Sequence, residues 1–246
     1  MRSETADFYS MVVARERLHG QAHQWASLAT YAQERLVYDK TLEYVPQGAH
    51  CLDWGCGNGH FSRFLIRSGY RTEAFSLHPI PPLLAGREDV IYKRGEKASP
   101  VLLPYPDAAF DAVFGVGVLE HVRDPGGDEA ASLAELERIL KPNGLLFIFH
   151  FPNRWSWLEW AKGLVGHRQH PRRYTREQFV SFLSGIRLKI IDEGRYHLLP
   201  RMALNRLPRT LSDSTAWCSV LDFVEDALSV PLRAICQNWY FILRKL

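Results

Sequence analysis

A short apolar run, Cys51-Leu52, ends in Asp53 and passes through three glycines at alternate positions, Gly55, Gly57 and Gly59. It then enters a segment whose Phe61, Phe64 and Leu65 recur at helical spacing. This order of residues reads as a strand, a tight turn and a helix, the start of a βαβ unit. Glycines at such a junction let the backbone take positive φ. They also let a ligand approach main-chain N–H groups beside the positive end of a helix. A nucleotide-like ligand is therefore expected, since a turn with no ligand needs one glycine rather than three. The dinucleotide fingerprint G-x-G-x-x-G/A requires a small residue where this chain has His60, which argues against a nicotinamide cofactor.

The spacing Asp53-x-Gly55-x-Gly57-x-Gly59 resembles the first motif of class I S-adenosylmethionine (SAM) dependent methyltransferases. The likeness continues in Leu103-Pro104-Tyr105-Pro106-Asp107, Phe110-Asp111, Leu119-Glu120-His121 and Leu140-Lys141-Pro142, as in the methyltransferase type 11-like subgroup of quinone-biosynthesis and natural-product enzymes. By motif it covers about residues 45–196. It implies an α/β fold: a Rossmann-like, doubly wound, seven-stranded sheet with its last strand antiparallel, binding S-adenosyl-L-methionine. It implies cofactor contacts at Asp53, Gly55, Cys56 and Gly57, at Ser76 and Leu77 ending the second strand, at Glu96 and Lys97 after the third, and at Gly115 and Val116 in the fourth.

One position departs from that pattern. Where the family carries an acid that accepts hydrogen bonds from both ribose hydroxyls, this chain has Ser76, and a hydroxyl cannot grip two oxygens as a carboxylate does. Losing a charged hydrogen bond costs about 1.5–3 kcal/mol, so weakened SAM binding is expected. Glu73 lies three residues back on the other face of the strand and is not expected to substitute. His121, just past the fourth strand, is the candidate catalytic base; its alternative is a helix-start residue kept for packing or capping. His150 is a second candidate, against a histidine satisfied by loop backbone. Some quinone-pathway relatives hold a metal with a Glu at the position of Gly117 together with the Glu-His pair. Glycine removes that ligand, and no metal is expected.

With 246 residues, 46% hydrophobic and 23% charged, the chain can bury a full core as a single domain over 1–246. The amino terminus lacks an apolar signal segment and no apolar run reaches the ~18 residues of a membrane span, so a cytoplasmic location is expected. Four cysteines without a C-x-x-C pair indicate neither a disulfide framework nor zinc. Cys56 reads as a small packing residue rather than a nucleophile. The net charge of +3 is unevenly divided. Residues 1–150 hold 15 Lys/Arg against 19 Asp/Glu, a net of −4, whereas residues 151–246 hold 15 against 8, a net of +7.

Helices are expected over 5–20 and 27–44, forming an N-terminal arm (1–44), with His19, His23 and Trp25 between them as a lid over the glycine loop or as simple packing. Strands are expected at 72–77, 90–94, 111–117, 145–150, 188–196 and 239–244, and helices at 128–140, after the capping box Thr175-Arg176-Glu177-Gln178, and around 220–228. Two insertions stand on the acceptor side. The first, 151–176, packs Trp155, Trp157 and Trp160 with Arg154, Arg172 and Arg173, which suits a planar, sugar-like or phosphate-bearing acceptor or merely anchors a lid. The second, 197–236, reads as a cap over the acceptor site, a dimer face, or a basic amphipathic surface meeting anionic lipid at a membrane periphery. The expected function is SAM-dependent methylation of a small-molecule or carrier-linked acceptor, at O or N in preference to C. The alternatives are a catalytically weak or inactive binding or scaffold protein, motivated by Ser76, and a nicotinamide oxidoreductase. Nucleic acid is not an expected partner, because the basic excess is spread over 96 residues with no RNA module.

Overall fold

The structure is a computed structural model describing residues 27–164, 166, 170–200, 203 and 207–246; the expected helix over 5–20 and His19, His23 and Trp25 lie outside them. Seven strands form one sheet: β1 (His50–Trp54), β2 (Arg71–Ser76), β3 (Val90–Arg94), β4 (Phe110–Val116), β5 (Leu140–Pro152), β6 (Leu188–Tyr196) and β7 (Asn238–Lys245). Their order is β3-β2-β1-β4-β5-β7-β6, and β7 runs antiparallel to both of its neighbours while the other pairs are parallel. The chain winds outward from β1 in one direction and resumes at β4 in the other. The crevice at the carboxyl ends of β1 and β4 is therefore the point at which an open α/β sheet accepts a ligand.

The period-two alternation of the central strands divides the core into two layers. Phe114, Phe147 and Phe149 face helix α1 (Arg35–Tyr44), α2 (His60–Arg67) and α6 (Thr215–Ser229), through Tyr38, Phe61, Phe64, Cys218 and Leu221. Val113, Leu146 and Ile148 face α3 (Glu129–Ile139) and α5 (Arg176–Phe182), through Leu133, Leu136 and Phe179. A further helix, α4 (Trp157–Leu164), stands on the acceptor side. Aromatic stacking fastens both layers, Tyr38 on Phe64 at 3.9 Å and Phe179 on Phe241 at 3.7 Å between ring centres.

Local chemistry sets the helix ends, at α5 by the capping box expected from sequence. Asp128 caps α3 by accepting from Ala131 N, and Thr175 and Gln178 form a reciprocal capping box at α5. Two of the departures from the expected boundaries have a physical cause in the structure. Strand β5 begins at Leu140 rather than Leu145, because Leu140 pairs with Phe110 ahead of a register shift and Lys141 Nζ reaches Asp111 at 2.7 Å. Asn143 takes the left-handed conformation in the turn that follows, φ +62°. The expected helix over 27–44 is broken: a short helix, Leu28–Tyr31, passes through a 3-10 turn, Ala32–Glu34, into α1. The tighter turn changes where two groups point. The Gln33 carbonyl meets His197 Nε2 at 2.7 Å, and the Glu34 carboxylate meets His150 Nε2 at 2.9 Å.

Candidate functional site

The glycine loop leaves β1 at the crevice. All three glycines have positive φ, but their surroundings differ. A Cβ on Gly55 would stand 2.6 Å from Val118 Cγ2, and one on Gly59 would stand 2.7 Å from Leu84 Cγ. Those two glycines let side chains of this protein close on the loop. Gly57, at φ +50°, has only the Gly55 carbonyl at 4.0 Å, which leaves it the glycine facing free space. The amides of Gly55 and Cys56 both donate to the Phe75 carbonyl, and that of Gly59 to the Cys56 carbonyl, so these three are spent on holding the loop. The expectation that alternate glycines expose amides to a ligand is thus corrected for Gly55, Cys56 and Gly59. Cys56 is buried and its thiol is pushed far up by desolvation, which excludes it as a nucleophile.

Asp53 is 2% exposed and accepts from the Ser62 hydroxyl at 2.5 Å. Burial raises its pKa to about 7 in spite of that bond. Ser76 is buried at the end of β2, where its Oγ accepts the His78 N–H at 3.1 Å. Glu73 sits at the opposite end of the same strand, bonded to His50 Nε2 at 3.0 Å, where it cannot take over the role of Ser76. Glu96 and Lys97 are exposed in the loop after β3, and Leu77 packs against the core beside Gly95. Gly115 is buried under Trp54, whose ring carbon would lie 2.9 Å from a Cβ there. Its lack of a side chain accommodates Trp54, and Val116 is the member of that pair that reaches the cavity beyond.

That cavity, about 500 Å³, opens past β4 between the 3-10 turn, β5, α4 and the start of the second insertion. Of the residues expected from sequence to act, Val116, His121 and His150 line it; the remaining cofactor-edge residues lie outside its lining. The His121 Nδ1 is bonded to Asp124 Oδ2 at 3.0 Å, and its Nε2 lies 4.0 Å from Glu120. Glu120 is 4% exposed, Oε2 has no hydrogen-bond partner, and desolvation raises its pKa to about 7. Across the cavity, His150 stands at φ +57° beside a register shift in β5 between Ile148 and Phe151. The kink re-aims the imidazole out of the strand alternation toward Glu34. Its Nδ1 meets the Tyr196 hydroxyl at 3.1 Å, the same hydroxyl accepts the His150 N–H at 2.8 Å, and the neighbouring Glu34 carboxylate holds the imidazole pKa above its usual value against the opposing effect of burial. The loop-backbone partner expected for His150 is replaced by Glu34, whose Oε1 is buried without a partner.

The first insertion supplies His170, Glu159 and Lys162 to the same cavity. Glu120, His121 and His170 each offer one ligand atom, all within 4.8 Å of one another. His170 is the third donor that counting from Gly117 omits. Sequence reasoning also missed Glu34, Tyr196, His197 and Asn238. Glu34 carried no local signal, because the residue that explains it is 116 positions away.

A parallel sheet reversing at β1 and β4, a glycine turn with a buried acid behind it, and a cavity at that reversal define a Rossmann-like protein of the nucleotide-cofactor-binding class. Residues 18–192 match the model of a methyltransferase domain, and the chain belongs to that family. A malonyl-[acyl-carrier protein] O-methyltransferase of Serratia marcescens is 32% identical over 150 residues, 58% of this chain and 53% of that protein. A ubiquinone biosynthesis O-methyltransferase of Xylella fastidiosa is 35% identical over 116 residues, 44% of this chain and 46% of that one. The matches thus span about half the length of these relatives. Among solved structures, a methyltransferase in complex with the Haloferax volcanii Trm112 activator superposes with a TM-score of 0.60 at 15% identity, over 100% of this chain and 99% of that one. A 1,6-didemethyltoxoflavin-N1-methyltransferase of Burkholderia thailandensis gives 0.56 at 19%, over 96% and 88%. The resemblance of the fold is confirmed: the sheet has seven strands with its last strand antiparallel.

Proposed function

We propose that this protein is a SAM-dependent methyltransferase that acts on a small-molecule or carrier-linked acceptor, at oxygen or nitrogen. The observation that carries the reading is the cavity at the strand-order reversal, bounded by Val116 and Gly117 on the cofactor side and holding His121 on the other. The cofactor edge fits an adenosyl group: Gly57 has free space where a side chain would stand, Ser76 places a hydroxyl at the carboxyl end of β2, and Glu96 and Lys97 are open to solvent one strand further out. SAM supplies an electrophilic methyl group on a sulfonium.

The protein's part is to align the acceptor, exclude water and take one proton. Asp124 accepts from His121 Nδ1, which fixes the tautomer and leaves the Nε2 lone pair for the acceptor's proton. Leu158 of α4 and Pro200 and Ala203 of the second insertion help enclose the cavity, which supports the acceptor-side reading of both insertions and the cap reading of the second. Proton transfer to His121 requires no metal, and chelation with EDTA is expected to leave the rate unchanged.

Thermal shifts with SAM, S-adenosylhomocysteine and NAD, followed by labelled-methyl transfer into cell extracts, test the proposal. Stabilisation by the first two together with label incorporation supports it; stabilisation without transfer favours a binding or scaffold protein; stabilisation by NAD alone overturns it. With the labelled acceptor in hand, His121→Ala should lower kcat by about 10²-fold with SAM affinity kept.

A further inference from the structure

The tryptophans and arginines of the first insertion form a second cavity, of about 610 Å³, behind the first. Helix α4 is the wall between them: Leu158, Glu159 and Lys162 face the cavity that holds His121, and Trp157 and Trp160 face the other. The second cavity is lined by Arg154 and Arg173, by Trp155, Trp157 and Trp160, and by Ile235, and no carboxylate lines it among the described residues.

Neither guanidinium group of this cavity has an ion pair among the described residues. Arg172 is bonded to Asp124 at 2.6 Å, whereas its neighbour Arg173 has no side-chain hydrogen bond or ion pair among the described residues, and Arg154 only lies over the Trp155 ring at 5.9 Å. The backbone that carries them is fixed. Asn153 and Tyr174 form a β-bridge, Arg154 N donates to the Tyr174 carbonyl, and the Asn153 side chain ties down the carbonyls of Ala234 and Cys236 at 3.0 and 2.8 Å. Trp157 Nε1 is anchored to the Leu198 carbonyl at 2.8 Å, while Trp155 and Trp160 are 61% and 66% exposed.

Two free forks on a rigid frame suit the oxygens of a phosphate, and exposed indole faces suit the flat or apolar body attached to it. We propose that this cavity binds a phosphate ester with a planar or apolar substituent. Resting on the methyl-transfer reading above, the phosphate is the handle of a two-part acceptor whose reactive end passes α4 into the cavity of His121. The sequence pattern had assigned these residues to one acceptor pocket; the structure separates the handle from the chemistry.

The test uses the full chain and its tryptophan fluorescence. Phenyl phosphate is the soluble probe, with phenol as its uncharged control, and vesicles of phosphatidylcholine with or without phosphatidylglycerol present the same group as a lipid headgroup. Saturable quenching by phenyl phosphate and not by phenol, weakened about tenfold or more in Arg154→Gln/Arg173→Gln and less in Arg173→Lys, supports the proposal with a soluble ester. A response only to phosphatidylglycerol vesicles, lost in the same variant, supports it with a lipid source. No response to either probe, or equal responses in parent and variant, overturns it. The SAM thermal shift is measured on the same samples. A kept shift in the variant shows that the fold and the cofactor site are intact, so failure of the handle and failure of the methyltransferase reading are told apart.

Discussion

The carboxyl edge of β1–β3 and the cavity beyond β4 are built in opposite ways. At the edge, Asp53, Gly57 and Ser76 lie within a span of 24 residues, and what they present is set by backbone: φ values, a strand end, an amide committed to a carbonyl. In the cavity, Glu34, His121, His150, His197 and Asn238 arrive from five parts of the chain and line it with side chains, Glu34 paired with His150 and His197 with Asn238. The edge needs each residue for its shape. The cavity needs each residue for its partner. A change at the edge should therefore act through sterics and cofactor affinity, and a change in the cavity through unpaired charge and turnover.

The largest effect that can break this contrast is at Gly59. Gly59→Val puts a β-branched side chain at φ +87° against Leu84 and should cost at least about 3 kcal/mol, seen as a lower denaturation midpoint. Gly57→Ala meets no neighbour and should cost about 1–2 kcal/mol at φ +50°. It should still remove most of the SAM thermal shift. If both variants lose stability alike and both retain the shift, the distinction between packing glycine and ligand glycine is wrong.

Next is Glu34→Gln, which keeps the shape of the side chain but removes the charge beside His150. We expect a loss of about 2 kcal/mol in stability, since an imidazole buried beside a carboxylate loses its counter-charge. Methyl transfer should fall about tenfold or more while the dissociation constant for SAM stays within about twofold. A change confined to SAM affinity would reverse the assignment of Glu34 to the acceptor side.

Ser76→Asp should tighten SAM binding by about tenfold in a calorimetric titration, the counterpart of a charged hydrogen bond gained at the ribose position. The remaining effect concerns pH. Asp53 and Glu120 both have folded pKa values raised to about 7, so between about pH 4 and pH 7 the folded state retains protons that the unfolded state has released. Stability should fall as pH rises through that window. The raised His150 acts in the same direction, its contribution being present below the unfolded value of 6.5 and lost as pH passes the folded one. Melting temperatures of parent and Asp53→Asn from pH 4.5 to 8 should show a shallower decline in the variant.

How far each region could be read from sequence follows from the same contrast. The strands, their carboxyl ends and the cap at Thr175 depend on near neighbours, so period and spacing were sufficient to expect them. The roles of Gly55 and Gly59 were not readable, because Val118 and Leu84, which need their missing side chains, come from later loops. The break at Ala32–Glu34 left no propensity signal either; it is made by hydrogen bonds to His197 and His150, contributed by the far side of the sheet. The division of the tryptophan-rich insertion into two cavities depends on which way α4 faces, and no helix was expected from sequence over that stretch.

The 3-10 turn has a practical consequence for where this molecule may be cut. A fragment started at residue 45 would retain all seven strands and the glycine loop, yet His150 and His197 would each lose a partner contributed by the removed stretch. Such a trimmed version could hold its coenzyme and still be silent toward every substrate offered. Screens for what this protein modifies should accordingly use the entire polypeptide.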